Sequence, residues 1–190
     1  MHLPITIITT IFSLLLLSAA QNPRCIVNQP IILGLPRPFV ATVQNASFPS
    51  IHNRNIAFLP YPVGSEPGNR VVISRRPGAP AYLKFSGGKL SSDGNPSYPG
   101  VSVWVEQVWR AVRFQPANQW PELVIEGHYG CDDNGKEQVE LVPMSGGPTA
   151  LGFCVVQDRA GTYDLAVKPR FEVGNACIEV TLATASQQGL

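Results

Sequence analysis

Charge is scarce in this chain. Only 14% of its 190 residues are Asp, Glu, Lys or Arg, against 44% hydrophobic, and the formal net charge is +1. A disordered chain carries fewer large apolar side chains and more net charge, so that class is excluded. Histidine is rarer still: of three in the chain, only His52 and His128 fall after the first twenty residues. There is no HExxH helix, no GxSxG elbow, no Walker loop and no dinucleotide fingerprint, so the enzyme classes that announce themselves by these motifs are not indicated. No two cysteines stand as CxxC, and with histidine so sparse no zinc site and no cofactor are expected.

Long apolar runs are also lacking, with one exception at the start. Ile5 to Leu17 is almost unbroken, ends in Ser18-Ala19-Ala20, and is followed by polar Gln21-Asn22-Pro23. That run is too short to span a bilayer comfortably and ends in small residues that signal peptidase accepts. Residues 1–20 therefore read as a secretory signal, and residues 21–190 as one secreted domain. The end, Ala183 to Leu190, is short and polar, so neither a membrane anchor nor a glycolipid-anchor tail is expected.

What the chain does have is proline and glycine, 18 and 17 of them, spread throughout. Many short strands joined by marked turns give that composition. Leu123 and Ile125 alternate with Glu122 and Glu126, Val139 and Leu141 with Gln138 and Glu140. Tyr163, Leu165 and Val167 alternate with Asp164 and Lys168, and Ile178, Val180 and Leu182 with Glu179 and Thr181. Period-two patterning puts one face on a core and one in water. Asp133-Asn134-Gly135 and Ala160-Gly161 mark the turns. In the first half Phe39–Val43, Asn55–Leu59, Val71–Ile73 and Tyr82–Phe85 read as short strands. Pro60 to Asn69 and Lys89 to Pro99 read as surface loops. Val101, Trp104, Val105, Val108, Trp109 and Val112 fit a helical stripe, but their Val and Trp content in this context favours a strand or strand pair. The expectation is an all-β, antiparallel β-sandwich with little helix.

The four cysteines are Cys25, Cys131, Cys154 and Cys177, an even count that in a secreted chain predicts two disulfides. Three pairings are open. We favour Cys131–Cys154, closing a local loop, with Cys25–Cys177 tying the ends. Asn45-Ala46-Ser47 is a glycosylation sequon, whereas Asn95-Pro96-Ser97 is disqualified by its proline.

The charge is unevenly distributed. Residues 21–118 hold ten Lys/Arg and three acids, and residues 119–190 hold four and ten. Pairing across strands of one domain accounts for this. A basic face including Arg70, Arg75, Arg76, Lys84 and Lys89, meeting an anionic polymer, is the alternative. Nucleic acid is not an expected partner, because no basic motif is interleaved with aromatics. Arg75 and Arg76, in Ser74-Arg75-Arg76-Pro77, read as exposed charges at a strand end. Trp104 and Trp109 are candidates for a binding patch, although core positions suit them better. His128 belongs to the densest polar cluster, His128 to Asp133, which reads as a strand end with a disulfide and a tight turn rather than an acid/base or calcium site.

Several stretches carry a family likeness. They are Pro38-Phe39-Val40 leading to Pro49-Ser50-Ile51-His52, Ala81-Tyr82-Leu83-Lys84-Phe85 before Gly88-Lys89-Leu90, Leu151-Gly152-Phe153-Cys154, and Asn175-Ala176-Cys177-Ile178. In these the chain resembles the small secreted cell-wall proteins of filamentous fungi related to phialide-associated wall proteins. The resemblance does not extend over Val101 to Pro143. It implies wall association, a β-rich domain with two late cysteines, and no catalytic residues. The function expected is that of a secreted, non-enzymatic extracellular or cell-wall-associated structural or binding protein. Its partner would be a cell-wall polysaccharide or an extracellular protein. A secreted effector or inhibitor is the alternative. A hydrolase without recognisable motifs is a third class, and its mark would be a cleft joining His128 to carboxylates.

Overall fold

The computed structural model describes residues 30–60, 68–73, 80–92, 100–106, 109–115, 122–144, 151–158, 161–169 and 177–185. Among these there is no helix, so none is long and apolar enough to cross a membrane. The strands are β1 (Phe39–Val40), β2 (Thr42–Gln44), β3 (Arg54–Pro60), β4 (Asn69–Ile73), β5 (Tyr82–Ser86), β6 (Lys89–Ser92) and β7 (Gly100–Glu106). They continue as β8 (Trp109–Gln115), β9 (Val124–Cys131), β10 (Glu137–Met144), β11 (Leu151–Gln157), β12 (Tyr163–Pro169), β13 (Ile178–Glu179) and β14 (Thr181–Ala185). All pairings are antiparallel, in a three-stranded sheet β1-β5-β6 and an eleven-stranded sheet. The all-β antiparallel fold read from the alternating segments is thus present.

The larger sheet curls until its ends meet. β11 pairs with β12, β12 with β4, β4 with β3, β3 with β2 and β2 with β14. β13 returns to β11, and it is the same run of chain as β14, offset at Val180. The β7–β8 hairpin enters between β12 and β4 at one end. β10 and β9 extend the sheet outward from β14. Closing a sheet in this way removes exposed strand edges.

The three-stranded sheet lies over this curl. Leu83, Phe85 and Leu90 are buried with Ile56, Phe114 and Ile125 in one core, while Tyr82, Lys84, Ser86 and Lys89 of the same sheet face solvent. The segment Phe39–Val43 serves both sheets. Phe39 and Val40 pair with β5, whereas Thr42 and Val43 pair with β3 and β14. The reading of Lys89 to Pro99 as loop is corrected at its start, because Lys89–Ser92 is β6, hydrogen-bonded to β5. Gly87 and Gly88 connect them at φ 59° and 73°. Positive φ at both central residues is what a tight hairpin of matching twist requires. The Val101–Val112 stripe is a strand pair, β7 and β8, as its β-branched content indicated.

The interior is filled. Only about 10 Å³ of free space lies among Ile56, Leu83, Val112, Phe114, Leu165 and their neighbours. That is at most one water, so the curl is a packed core and not a ligand chamber.

Contacts between the halves pair part of the uneven charge, while Arg75 and Arg76 lie outside the described residues. Arg70 of β4 grips Asp164 with Nε and Nη2 at 2.8 and 2.7 Å, and its Nη2 also reaches Asp158 at 3.0 Å. Lys89 pairs with Glu122. The buried Arg113 donates to the Val112 carbonyl at 3.1 Å and lies 4.0 Å from Asp164. Asp158 further accepts the Thr162 amide, closing the β11–β12 turn in which Gly161 has φ 80°. The hydrogen bonds it donates to Asp164 hold the Arg70 guanidinium even more firmly protonated than usual, against the opposing effect of burial. A raised pKa stabilises the fold below its ordinary value and is lost only above the raised one, so the guanidinium stays charged at any working pH. Arg70→Ala would remove the cation that the two half-buried carboxylates share, with Arg113 at 4.0 Å from Asp164 remaining. The expected loss is about 2 kcal/mol, between the values for exposed and buried pairs. It would be read as a fall in the urea midpoint at unchanged slope. Arg70→Lys should recover only part of it, because an ammonium cannot make the two-pronged contact.

Both favoured disulfides are corrected. Cys154 is bonded to Cys177, with Cα atoms 5.5 Å apart. Cys131 is disulfide-bonded as well, and no described cysteine is free, while Cys25 lies outside the described residues. Loop length could not have separated the choices, since Cys131 and Cys177 are equally far from Cys154 in sequence. Register decides. Cys154 of β11 sits opposite Glu179 of β13, placing it beside Cys177, whereas Cys131 closes β9 on the far side of β10 and β14.

Candidate functional site: a polar cleft between two splayed strands

A cavity of about 270 Å³ opens where β10 and β11 part. Its origin is the offset at Val180. β14 pairs with β10 as far as Leu141↔Leu182, and β13 pairs with β11 at Cys154 and Val155. One run of chain therefore serves first one neighbour and then the other. Beyond these points Val142 and Pro143 on one side, and Gly152 on the other, line an open gap. The Val180 amide closes its floor by donating to the Phe153 carbonyl at 3.0 Å.

Gln44, Asn45, Glu140, Glu179 and Thr181 furnish the polar part of the walls, and among the described residues no Lys, Arg or His contributes. Gln44 and Gln138 exchange amide hydrogen bonds at 2.8 and 2.9 Å, and the Gln138 amide also reaches Glu140 Oε1 at 3.2 Å. This fixes the carboxylate. Glu140 leans over Gly130 on β9, where any Cβ would strike it.

Asn45 follows β2 at the rim. Its Oδ1 accepts the Ser47 amide at 3.0 Å, and its Nδ2 donates to the Glu179 carbonyl at 2.6 Å. The loop beyond is held by Phe48 N–H to Asn45 O at 3.0 Å and by the buried Ile51. His52 clips it down. The ring Nδ1 accepts the Asn45 amide at 3.2 Å, and Nε2 lies 3.0 Å from Asp133 Oδ2.

The residues singled out from sequence are scattered. His128 is on the outer face of β9, 3.3 Å from Glu126, and does not line the cleft. Asp132 caps its own turn, its Oδ1 accepting the Asn134 and Lys136 amides at 2.9 and 2.8 Å, and Asp133 pairs with His52. Among the described residues no three His, Cys, Asp or Glu gather as a metal site. Trp104 stands opposite Ala111 and Trp109 opposite Glu106, and their side chains lie outside the described residues, as do Arg75 and Arg76 altogether. Of the candidates among the described residues, the structure brings Asn45 to the cleft. Gln44, Glu140 and Glu179 occupy ordinary polar positions of alternating strands, which spacing alone does not mark as a site.

Taken together, fold and cleft define a disulfide-stapled all-β domain with a polar cleft at its surface. No family model, no curated protein and no solved structure matches this chain.

Proposed function

We propose that this is a secreted, non-enzymatic protein of the fungal cell wall or extracellular space that binds a wall polysaccharide in the cleft between β10 and β11. The observation that carries the reading is the lining. Amides and carboxylates, pre-set by the Gln44–Gln138–Glu140 network, offer donors and acceptors at fixed positions, the chemistry that reads sugar hydroxyls. A filled interior leaves the outer surface as the place for a ligand, and the disulfide suits an oxidising compartment.

The test is retention of purified protein on chitin, β-glucan and intact fungal walls at low and high salt. Retention on one polymer, unchanged by salt, is expected, because no cation lines the cleft. Glu140→Ala should reduce it at least about tenfold, since a hydrogen bond to a charged group contributes about 1.5–3 kcal/mol. Retention abolished by salt would shift the contact to the basic residues. No retention on any polymer would sink the reading.

One observation favours a second reading, binding of another protein as an effector or inhibitor. Ile31, Leu33, Val124 and Met144 are all exposed. Met144 stands opposite Val124, and the Ile32–Gly127 bridge brings Ile31 and Leu33 to the outer edge of β9. An apolar group of this kind suits a protein contact better than a sugar.

A further inference from the structure

We propose that the first sugar of an N-glycan on Asn45 seats in the cleft and competes there with external saccharide. The proposal rests on the reading of the cleft as a saccharide site. Sequon and cleft are otherwise independent features, one of sequence and one of tertiary structure, and they meet at a single atom. The Asn45 Nδ2 is turned into the cleft, because it donates at 2.6 Å to the carbonyl of Glu179, itself a lining residue. The Asx turn to the Ser47 amide, at 3.0 Å, locks the opposite side of the amide and prevents it from swinging outward. The His52 ring, accepting the Asn45 backbone amide at 3.2 Å, holds the residue from behind.

Attachment precedes folding. A lipid-linked pyrophosphate oligosaccharide donates its sugar, the anomeric C–O bond breaks, and a C–N bond forms to Nδ2. One Nδ2 proton is lost and the lipid pyrophosphate departs. The second N–H remains and can still serve Glu179. A sugar on this nitrogen therefore begins at the cleft mouth. At about 270 Å³ the space is just below the usual range for ligand pockets, about 300–1,000 Å³, so one tethered sugar fills much of it. Tethering raises its effective concentration far above that of a free competitor.

The test compares wild type with Ser47→Ala, both secreted from a eukaryotic host. Ser47 is exposed, and its substitution removes the sequon while keeping Asn45 and the backbone amide it binds. Wild type should carry one glycan that endoglycosidase trims to a single N-acetylglucosamine. Ser47→Ala should carry none and be retained at least fivefold more on the polymer identified above. Hydrogen exchange at the Val142 and Gly152 amides should be slower in trimmed wild type, whether or not either protein is retained. An unmodified wild type, or equal exchange in the two proteins, overturns the proposal. Slowed exchange with equal retention overturns the competition. Retention of neither protein counts against polysaccharide binding, and exchange alone then decides whether the sugar is seated.

Discussion

Replacing Phe114 by Ala is expected to cost about 3–5 kcal/mol, the range for a fully buried aromatic ring. Phe114 is 1% exposed and lies among Ile56, Leu83, Val112 and Leu165 in an interior holding only about 10 Å³ of free space. Its ring meets Phe58 edge to face, centroids 4.7 Å apart. The ring sits where β4, β8 and the covering three-stranded sheet converge, so its removal opens a cavity that several elements would have to move together to close. For a domain of this size the change corresponds to roughly a 10 °C fall in Tm. Against a typical total of about 5–15 kcal/mol it removes a large share of the stability. Phe114→Leu, which keeps most of the volume, should retain most of the stability. A loss below about 1 kcal/mol on Phe114→Ala would show that the interior is not packed as described.

Removing the Cys154–Cys177 bridge, as Cys154→Ala with Cys177→Ala, is expected to cost about 3 kcal/mol on the chain-entropy account for a loop of this length. The bridge spans 23 residues. It does more than close a loop, because it ties β11 to the start of β13, the strand that seals the curled sheet. Both sulfurs are buried in a small cluster with Ala166, apart from the main core. The local packing is thin, so few other contacts can substitute. Unfolding in urea with and without the bridge measures the cost. A non-reduced peptide map should contain a Cys154–Cys177 fragment, and a Cys131–Cys154 fragment would contradict the register of β11 against β13. Loss of the bridge should also loosen Glu179 and Val180, and with them the floor of the cleft.

Much of the framework was legible in the residues. Tyr163, Leu165 and Val167 point into the main core, as do Val139 and Leu141, while Asp164, Lys168 and Glu140 between or beside them are only part-buried; Ala166 and Gln138 are buried too, against the alternation. The Asp133-Asn134-Gly135 turn joins β9 to β10, with Gly135 at φ 76°. β6 was not legible, because Lys89-Leu90-Ser91-Ser92 carries a single apolar residue and alternation needs more than one. What makes it a strand is the two-glycine turn and the partner that turn delivers.

The cleft was not legible either, and for a different reason. Ile178, Val180 and Leu182 alternate as one strand would, and in solvent exposure they behave as one. Nothing in that spacing reveals that the strand changes partners at Val180. Partner exchange is set by which strands the curled sheet brings alongside, and the gap it leaves between β10 and β11 belongs to no local segment.

The sequence by itself determined the class of fold, the inward faces of its strands, the main turns and the sequon at Asn45, because each depends on residues close together in the chain. Tertiary structure decided the disulfide partner of Cys154, the pairing of Arg70 with acids 88 and 94 residues away, and the placing of Asn45 at a polar cleft. Those outcomes depend on strand order and register. Many orders satisfy the same alternation, and only packing of the whole chain selects among them.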